Sequence, residues 1–292
     1  MYTKEQIRDK IIEVINEGIE VANASGTITK YREPVIGFAS AHDELYTKAS
    51  GIIGYDVLRP IDLLPEAQTV VSFFVPFDVS PVKYARYREE MSNREWSLAY
   101  YELNLLIGKI MDQVIKALAE MGVKAVSEPV TENYDHVQLT TKWPHKTSAY
   151  IAGIGTFGIN RIIITPMGCA GRLGTIVFSE KITATPRPDQ ENCLYKREGK
   201  CGVCVKKCPV QALRYNSFNR FACVVRYQMR DNASAFDLGD YACSCGPCAS
   251  YVVPKAEGHH VWIGRENCED IVVQRRLEAV KEIKGETGIE RN

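Results

Sequence analysis

Apolar residues recur along this chain at two periods, and the switches between them outline its elements. Thr3-Lys-Glu-Gln6 reads as a capping box, and Ile7, Ile11, Ile15 and Ile19 follow at helical spacing. That spacing predicts an amphipathic helix to about residue 22. Pro34–Ala39 and Thr69–Val75 read as buried strands, the second being an almost unbroken apolar run ended by Pro76, with Ile61–Pro65 as connector. From 94 to 121, one face carries Leu103, Ile107, Ile110, Val114, Leu118 and Met121, and Gly122 supplies a C-terminal cap. Strands are then expected at Val123–Val126, Ile162–Thr165 and Gly174–Ser179, and a short helix at Lys146–Ala152. A last helix is marked by Val273, Leu277 and Val280. Glu269 and Asp270 stand at its start, Lys281 and Lys284 at its end, and Gly285 after it.

Between the short helix and the strand at 162 lies Gly153-Ile-Gly155-Thr-Phe-Gly158, a dinucleotide fingerprint by spacing alone. That motif works when a strand precedes it and a helix follows, so that the pyrophosphate meets a helix N-terminus. The order here is reversed. Two readings stay open: a tight turn that uses glycine's φ freedom, and a loop whose bare backbone approaches a cofactor.

Eight of the ten cysteines fall between Cys193 and Cys248. Cys201-x2-Cys204-x3-Cys208-Pro209 is the end of the bacterial ferredoxin run, whose last cysteine ligates the other cluster of a pair. Glu198 stands where that run would begin, and Cys193 is the nearest substitute. Cys223, Cys243, Cys245 and Cys248 form the second group. Two cubanes need eight thiolates, and eight are present. The favoured split puts Cys193, Cys201 and Cys204 on one cluster, and Cys208, Cys223 and two of the last three cysteines on the other. The remaining one crosses over, and spacing does not say which. Zinc knuckles and disulfides are the alternatives. Lys196, Arg197, Lys200, Lys206 and Lys207 surround the first group as counter-charge.

Composition narrows the setting. With 45% hydrophobic and 25% charged residues, the chain reads as soluble and globular. No apolar run reaches the ~20 residues of a membrane helix. The start has no hydrophobic signal region, so the cytoplasm is the expected compartment. With 36 basic and 36 acidic residues, no net charge drives the chain toward nucleic acid.

The stretch Trp143–Arg161, followed by Ile-Ile-Ile-Thr-Pro-Met-Gly-Cys-Ala-Gly-Arg-Leu-Gly-Thr-Ile-Val (162–177), resembles the A-G-L-G-x-x-G-K-N…L-L-I-T-P…R-L-G-T-V block of epoxyqueuosine reductases and their reductive-dehalogenase relatives. Pro34–Ala39, Leu64–Val71 and Cys193–Cys248 resemble the family's early strands and double-cluster module. The likeness is to a short branch without the C-terminal helical-repeat tail. It implies an α+β fold: a nitroreductase-like α/β core over 1–185 that binds a corrinoid, a ferredoxin-like double [4Fe–4S] domain over 186–258, and a C-terminal helix over 259–292 packing on the core. The implied activity is reduction of a small substrate. Electrons from a ferredoxin- or flavodoxin-like donor would pass through the clusters to cobalamin, and tRNA is a further partner of the long members.

His145, Lys146, Gly153, Gly155, Thr156, Gly158, Asn160 and Arg161 are the implied cofactor-binding residues, and Tyr134 and Asp135 are candidates for proton delivery. The trio Tyr134-Asp135-His136 reads equally as a hydrogen-bonded loop. The family's loop lysine is Ile159 here, and its proton-donating aspartate falls near Leu139, with Asp135 the nearest acid. An electron-transfer protein serving a partner corrinoid protein or flavoprotein is the alternative function, and FMN the alternative cofactor. Cys169 reads as a buried thiol or a cofactor-facing one, Cys268 as structural, His259-His260 as surface, and Tyr100 and Tyr101 as core packing.

Overall fold

A computed structural model describes residues 2–25, 29–84, 94–129, 133–135, 137–227, 246–250, 255–256 and 259–260. Its helices are α1 (Lys4–Ala24), α2 (Glu44–Ile53), α3 (Pro60–Leu63), α4 (Val79–Tyr84), α5 (Arg94–Glu120), α6 (His145–Ile151), α7 (Leu194–Glu198), α8 (Val203–Lys206), α9 (Arg220–Tyr227) and α10 (Pro247–Ser250). Its strands are β1 (Val35–Ser40), β2 (Thr69–Pro76), β3 (Ala125–Val126), β4 (Tyr134–Asp135), β5 (Thr140–Thr141), β6 (Thr156–Phe157), β7 (Ile163–Ile164), β8 (Gly171–Phe178), β9 (Lys255–Ala256) and β10 (His259–His260). The expected final helix, His136, Cys243, Cys245 and Cys268 lie outside the described residues.

The central sheet runs β1-β2-β8-β3, every neighbouring pair antiparallel. β2 is buried at every position, which accounts for its continuous apolar run. Alternation sends Val71, Phe73 and Val75 toward α1 and α5, and Val70 toward Trp143, Ile151 and Ala152 around α6. A mixed helix-and-sheet fold of the α+β kind therefore holds. β8 starts earlier than its apolar pattern suggests, at Gly171, because it pairs with β2 as far as Pro76.

The two long helices form for local reasons. Thr3 Oγ1 accepts from Gln6 N (3.2 Å), while Thr3 N donates to Gln6 Oε1 (2.8 Å), completing the capping box. Leu103, Ile107, Ile110, Val114 and Leu118 of α5 are fully buried, each contributing roughly 1.5–3 kcal/mol of apolar transfer. The helix stops at Gly122, whose φ of 78° a side chain would resist. No helix among the described residues is long and apolar enough to cross a membrane.

Candidate functional site

α6 precedes the glycine loop and the β6–β7 hairpin follows it, so the order needed for a dinucleotide site is absent. What fills the space beside these glycines is the protein itself. Gly153 has φ 75°, and a Cβ there would lie 2.5 Å from the Pro186 carbonyl oxygen. Added Cβ atoms at Gly155 and Gly158 would meet the Ile164 carbonyl and the Asn160 side chain at 2.4 and 2.3 Å. Glycine's φ freedom is used at Gly153 alone, and close approach accounts for Gly155 and Gly158. Ile159, where the family has lysine, is buried in the main core.

This loop ties the core to both cysteine groups. Thr185 N donates to the Phe38 carbonyl (2.8 Å) and Thr185 Oγ1 accepts from Phe38 N (3.0 Å), laying the chain that leads to the cysteines along β1. Asn192 N then donates to Thr156 Oγ1 (2.8 Å) and Asn192 Nδ2 to the Ile164 carbonyl (2.7 Å), immediately before Cys193. On the other side Asn160 Nδ2 donates to the Cys248 carbonyl (3.0 Å). Sequence reasoning misses Asn192, whose one signal is adjacency to Cys193.

The described cysteines gather in two nests. Cys193 and Cys204 are buried in the main core, with Cys248 packed against it. Burial, then the neighbouring Cys193 and Cys201, push the Cys204 thiol up to about 11. Thiolates crowded in this way are stable together only around a cation, although among the described residues no three metal-ligating side chains stand close enough to hold a metal ion. Cys208 forms the second nest with Ala212 and Leu213, against which Cys223 and Cys248 also pack. Cys248 borders both, and α10 packs on α8, which carries Cys204. Two of the expected counter-charges are already engaged: Lys196 pairs with Glu191 (3.1 Å) and Arg197 with Glu198 (2.9 Å). Cys169 is buried, and that burial pushes its thiol up to about 12, the state of an inert thiol.

Cations and phenols are the electrostatic neighbours of Cys223 and Cys248. Lys146 keeps solvent access, yet desolvation, then repulsion from Arg172, lowers its pKa, and nearby Cys248 and Cys223 oppose the shift. Arg172 stacks over the Tyr100 ring (4.2 Å to centroid) and donates to Asn104 Oδ1 (2.7 Å), which gives Tyr100 a role besides packing. Burial, then Cys223, raises the Tyr134 pKa, so its hydroxyl keeps its proton at neutral pH. Arg220 lies over Tyr55 (5.9 Å) and partly opposes that shift. Arg161 is exposed, with φ 62°. Asp135 is exposed too, and its Oδ1 accepts from Val137 N and Gln138 N (2.8 Å each), closing its own turn.

His145 is not a free imidazole. Its Nδ1 lies 2.8 Å from Thr175 Oγ1, which also accepts from Trp143 Nε1 (2.7 Å). The ring also bonds the Pro129 carbonyl, the acceptor of Asn133 Nδ2 (2.6 Å). Burial lowers the His145 pKa from 6.5 to about 4. As pH falls below 6.5 the unfolded chain binds this proton first, so stability present above 6.5 is lost toward pH 4, by about 3 kcal/mol. Urea denaturation of the wild type and His145→Gln at pH 7 and 4.5 checks this. A variant that loses as much stability on acidification as the wild type would refute it.

No protein-family model and no curated protein matches this sequence. Solved structures do. A reductive dehalogenase whose structure suggests a mechanism for B12-dependent dehalogenation is 14% identical over 85% of this chain and 32% of that one, with a TM-score of 0.51. A catabolic reductive dehalogenase in complex with 3-bromo-4-hydroxybenzoic acid is 14% identical over 73% of this chain and 28% of that one, also at 0.51. This is the reductive-dehalogenase fold. An epoxyqueuosine reductase bound to a modified tRNA-Tyr stem loop is 20% identical, with a TM-score of 0.47, over 74% of this chain and 57% of that one. The chain thus spans just over half the length of that epoxyqueuosine reductase and about a third of the first dehalogenase. Placed in the reductive-dehalogenase fold, the glycine loop is the seam between the central sheet and the cysteine-bearing helices.

Proposed function

We propose that this chain is an iron–sulfur oxidoreductase, with residues 1–185 as substrate-reducing core and 186–258 as a double [4Fe–4S] module. The single observation that carries the reading is that one loop of this fold anchors both cysteine groups, with Cys248 bordering both nests. Cys248 is then the cysteine that crosses over, joining Cys193, Cys201 and Cys204, while Cys208, Cys223, Cys243 and Cys245 hold the second cluster. When bound, the clusters supply one-electron carriers and a corrinoid supplies a low-potential cobalt centre. On the side where a Cβ would stand, the loop glycines face the protein's own atoms. The cations near Cys223 and Cys248 suit a cofactor better: Lys146, Arg161 and Arg172 would hold a phosphate or amide-bearing macrocycle, and Tyr134 would supply a proton. Asp135 orients the turn behind Tyr134 rather than presenting a free carboxylate. The electron donor is a cytoplasmic ferredoxin- or flavodoxin-like protein, and the substrate is a small molecule, with tRNA an open partner.

One observation favours a second reading, an electron carrier for a partner corrinoid protein or flavoprotein: at all three loop glycines the place of a Cβ is taken by protein atoms. The same preparation separates the two. Anaerobically purified protein is expected to hold about eight iron and eight sulfide per chain and to retain added cobalamin with a shifted visible spectrum. Zinc in place of iron overturns both readings. Loaded protein that retains neither cobalamin nor FMN, yet reduces a partner, supports the carrier.

A further inference from the structure

We infer that Asn160 and Cys169 form a two-pronged clamp that seats the cluster ligand Cys248 against the core. The inference rests on the cluster reading above, and it assigns both side chains to positioning rather than to cofactor contact.

α10 has four residues, too few for its carbonyls to find partners within the helix. Two consecutive ones are taken from outside. Asn160 Nδ2 donates to the Cys248 carbonyl at 3.0 Å, and Cys169 Sγ donates to the Ala249 carbonyl at 3.5 Å. Asn160 and Cys169 are 5% and 2% exposed, and Asn160 Nδ2 also reaches Cys169 Sγ (3.6 Å), so the two prongs brace each other.

The turn that carries Asn160 is built to aim it. Gly158 N donates to the Ile162 carbonyl (2.9 Å) and Arg161 N to the Gly158 carbonyl (3.0 Å). Lys146 Nζ holds the Arg161 carbonyl (3.2 Å) while Arg161 adopts φ 62°, a conformation that costs about 1 kcal/mol or more outside glycine. Ile162 N donates to Asn160 Oδ1 (3.3 Å). An amide N–H can only donate and a carbonyl can only accept, so these two partners fix the amide orientation: oxygen toward Ile162, nitrogen toward Cys248. The strained backbone, the close approach at Gly158 and the lysine bond thus serve one side chain.

Groups that hold a ligand's frame commonly change metal retention 10–100-fold when removed. The full chain, anaerobically reconstituted, is exposed to an iron chelator, and the variants are Asn160→Asp, which keeps the shape and loses the donor, Cys169→Ala and Cys169→Ser. Release in two phases of about four iron each is expected from the wild type. Asn160→Asp should quicken one phase 10–100-fold and leave the other unchanged, and the EPR signal of one reduced cluster should change with it. Cys169→Ala should act in the same direction, and Cys169→Ser, which retains a donor, should restore the slow phase. If Asn160→Asp prevents folding, the Cys169 pair decides alone. Wild-type rates in Asn160→Asp and Cys169→Ala, with about eight iron bound, overturn the clamp and leave the cluster reading intact. A wild type without iron overturns the cluster reading instead. Hydrogen exchange over 246–250 in the metal-free chain then judges the contact: faster exchange in Asn160→Asp supports it, and unchanged exchange overturns it.

Discussion

Replacing Cys204 with alanine is expected to lower bound iron from about eight to about four per chain. Cys204 is 9% exposed and lies where the Cys193 and Cys201 thiols raise its pKa, so its loss leaves three thiolates around a four-iron site. Cys208, Cys223 and their apolar neighbours Ala212 and Leu213 form a separate nest, so the second cluster should persist. Anaerobic iron and sulfide counting, with EPR of the dithionite-reduced protein, reads the result. Full retention of iron would remove Cys204 from the ligand set. Release of both clusters would show that the nests do not fold independently.

Gly153→Ala carries the largest expected loss of stability outside the cysteines. The position needs φ 75°, and the new methyl would sit 2.5 Å from the Pro186 carbonyl oxygen and 3.1 Å from that of Thr185. Left-handed backbone costs an alanine roughly 1–2 kcal/mol, and overpacking against backbone adds about 1–3 kcal/mol. Neither neighbour can turn aside as a side chain would, because both are main-chain atoms and Thr185 is tied to β1 through Phe38. Gly108→Ala is the matched control. It lies inside α5, where an added methyl would meet nothing within 4 Å, and should gain about 0.5–1 kcal/mol of helix propensity. Urea denaturation compares the two. A Gly153→Ala loss below about 1 kcal/mol would contradict the packing described here. A variant of normal stability that no longer retains cobalamin would restore the cofactor-cradle reading of the loop.

The loop shows why some of this site was legible and some was not. The spacing Gly153-x-Gly155-x-x-Gly158 is the same whether a ligand or the chain's own backbone fills the space, and only the return of Pro186 and Ile164 decides. His145 reads as an isolated histidine until Thr175, thirty residues on, closes against it. Arg172 stands inside the R-L-G-T stretch, yet its stacking on Tyr100 joins β8 to α5 and leaves no trace in either segment. β4, β5 and β6 are two residues each, too short for a period-two pattern to register.

What the amino-acid order determined by itself is whatever depends on neighbours within a few residues. The capping box and isoleucine spacing of α1, the five buried positions of α5, the unbroken apolar run of β2 and the cysteine spacing all belong there. Each follows from backbone geometry that repeats every two or 3.6 residues, or from the reach of one short loop around a metal. Tertiary structure alone decided that the loop glycines pack against Pro186 and Ile164, that the His145 imidazole is bonded to Thr175, and that Asn160 faces Cys248 across 88 positions of sequence. The physical reason is that a hydrogen bond or a steric limit is set by distance in space, and chain closure over such separations writes no periodic signal into the residues it brings together.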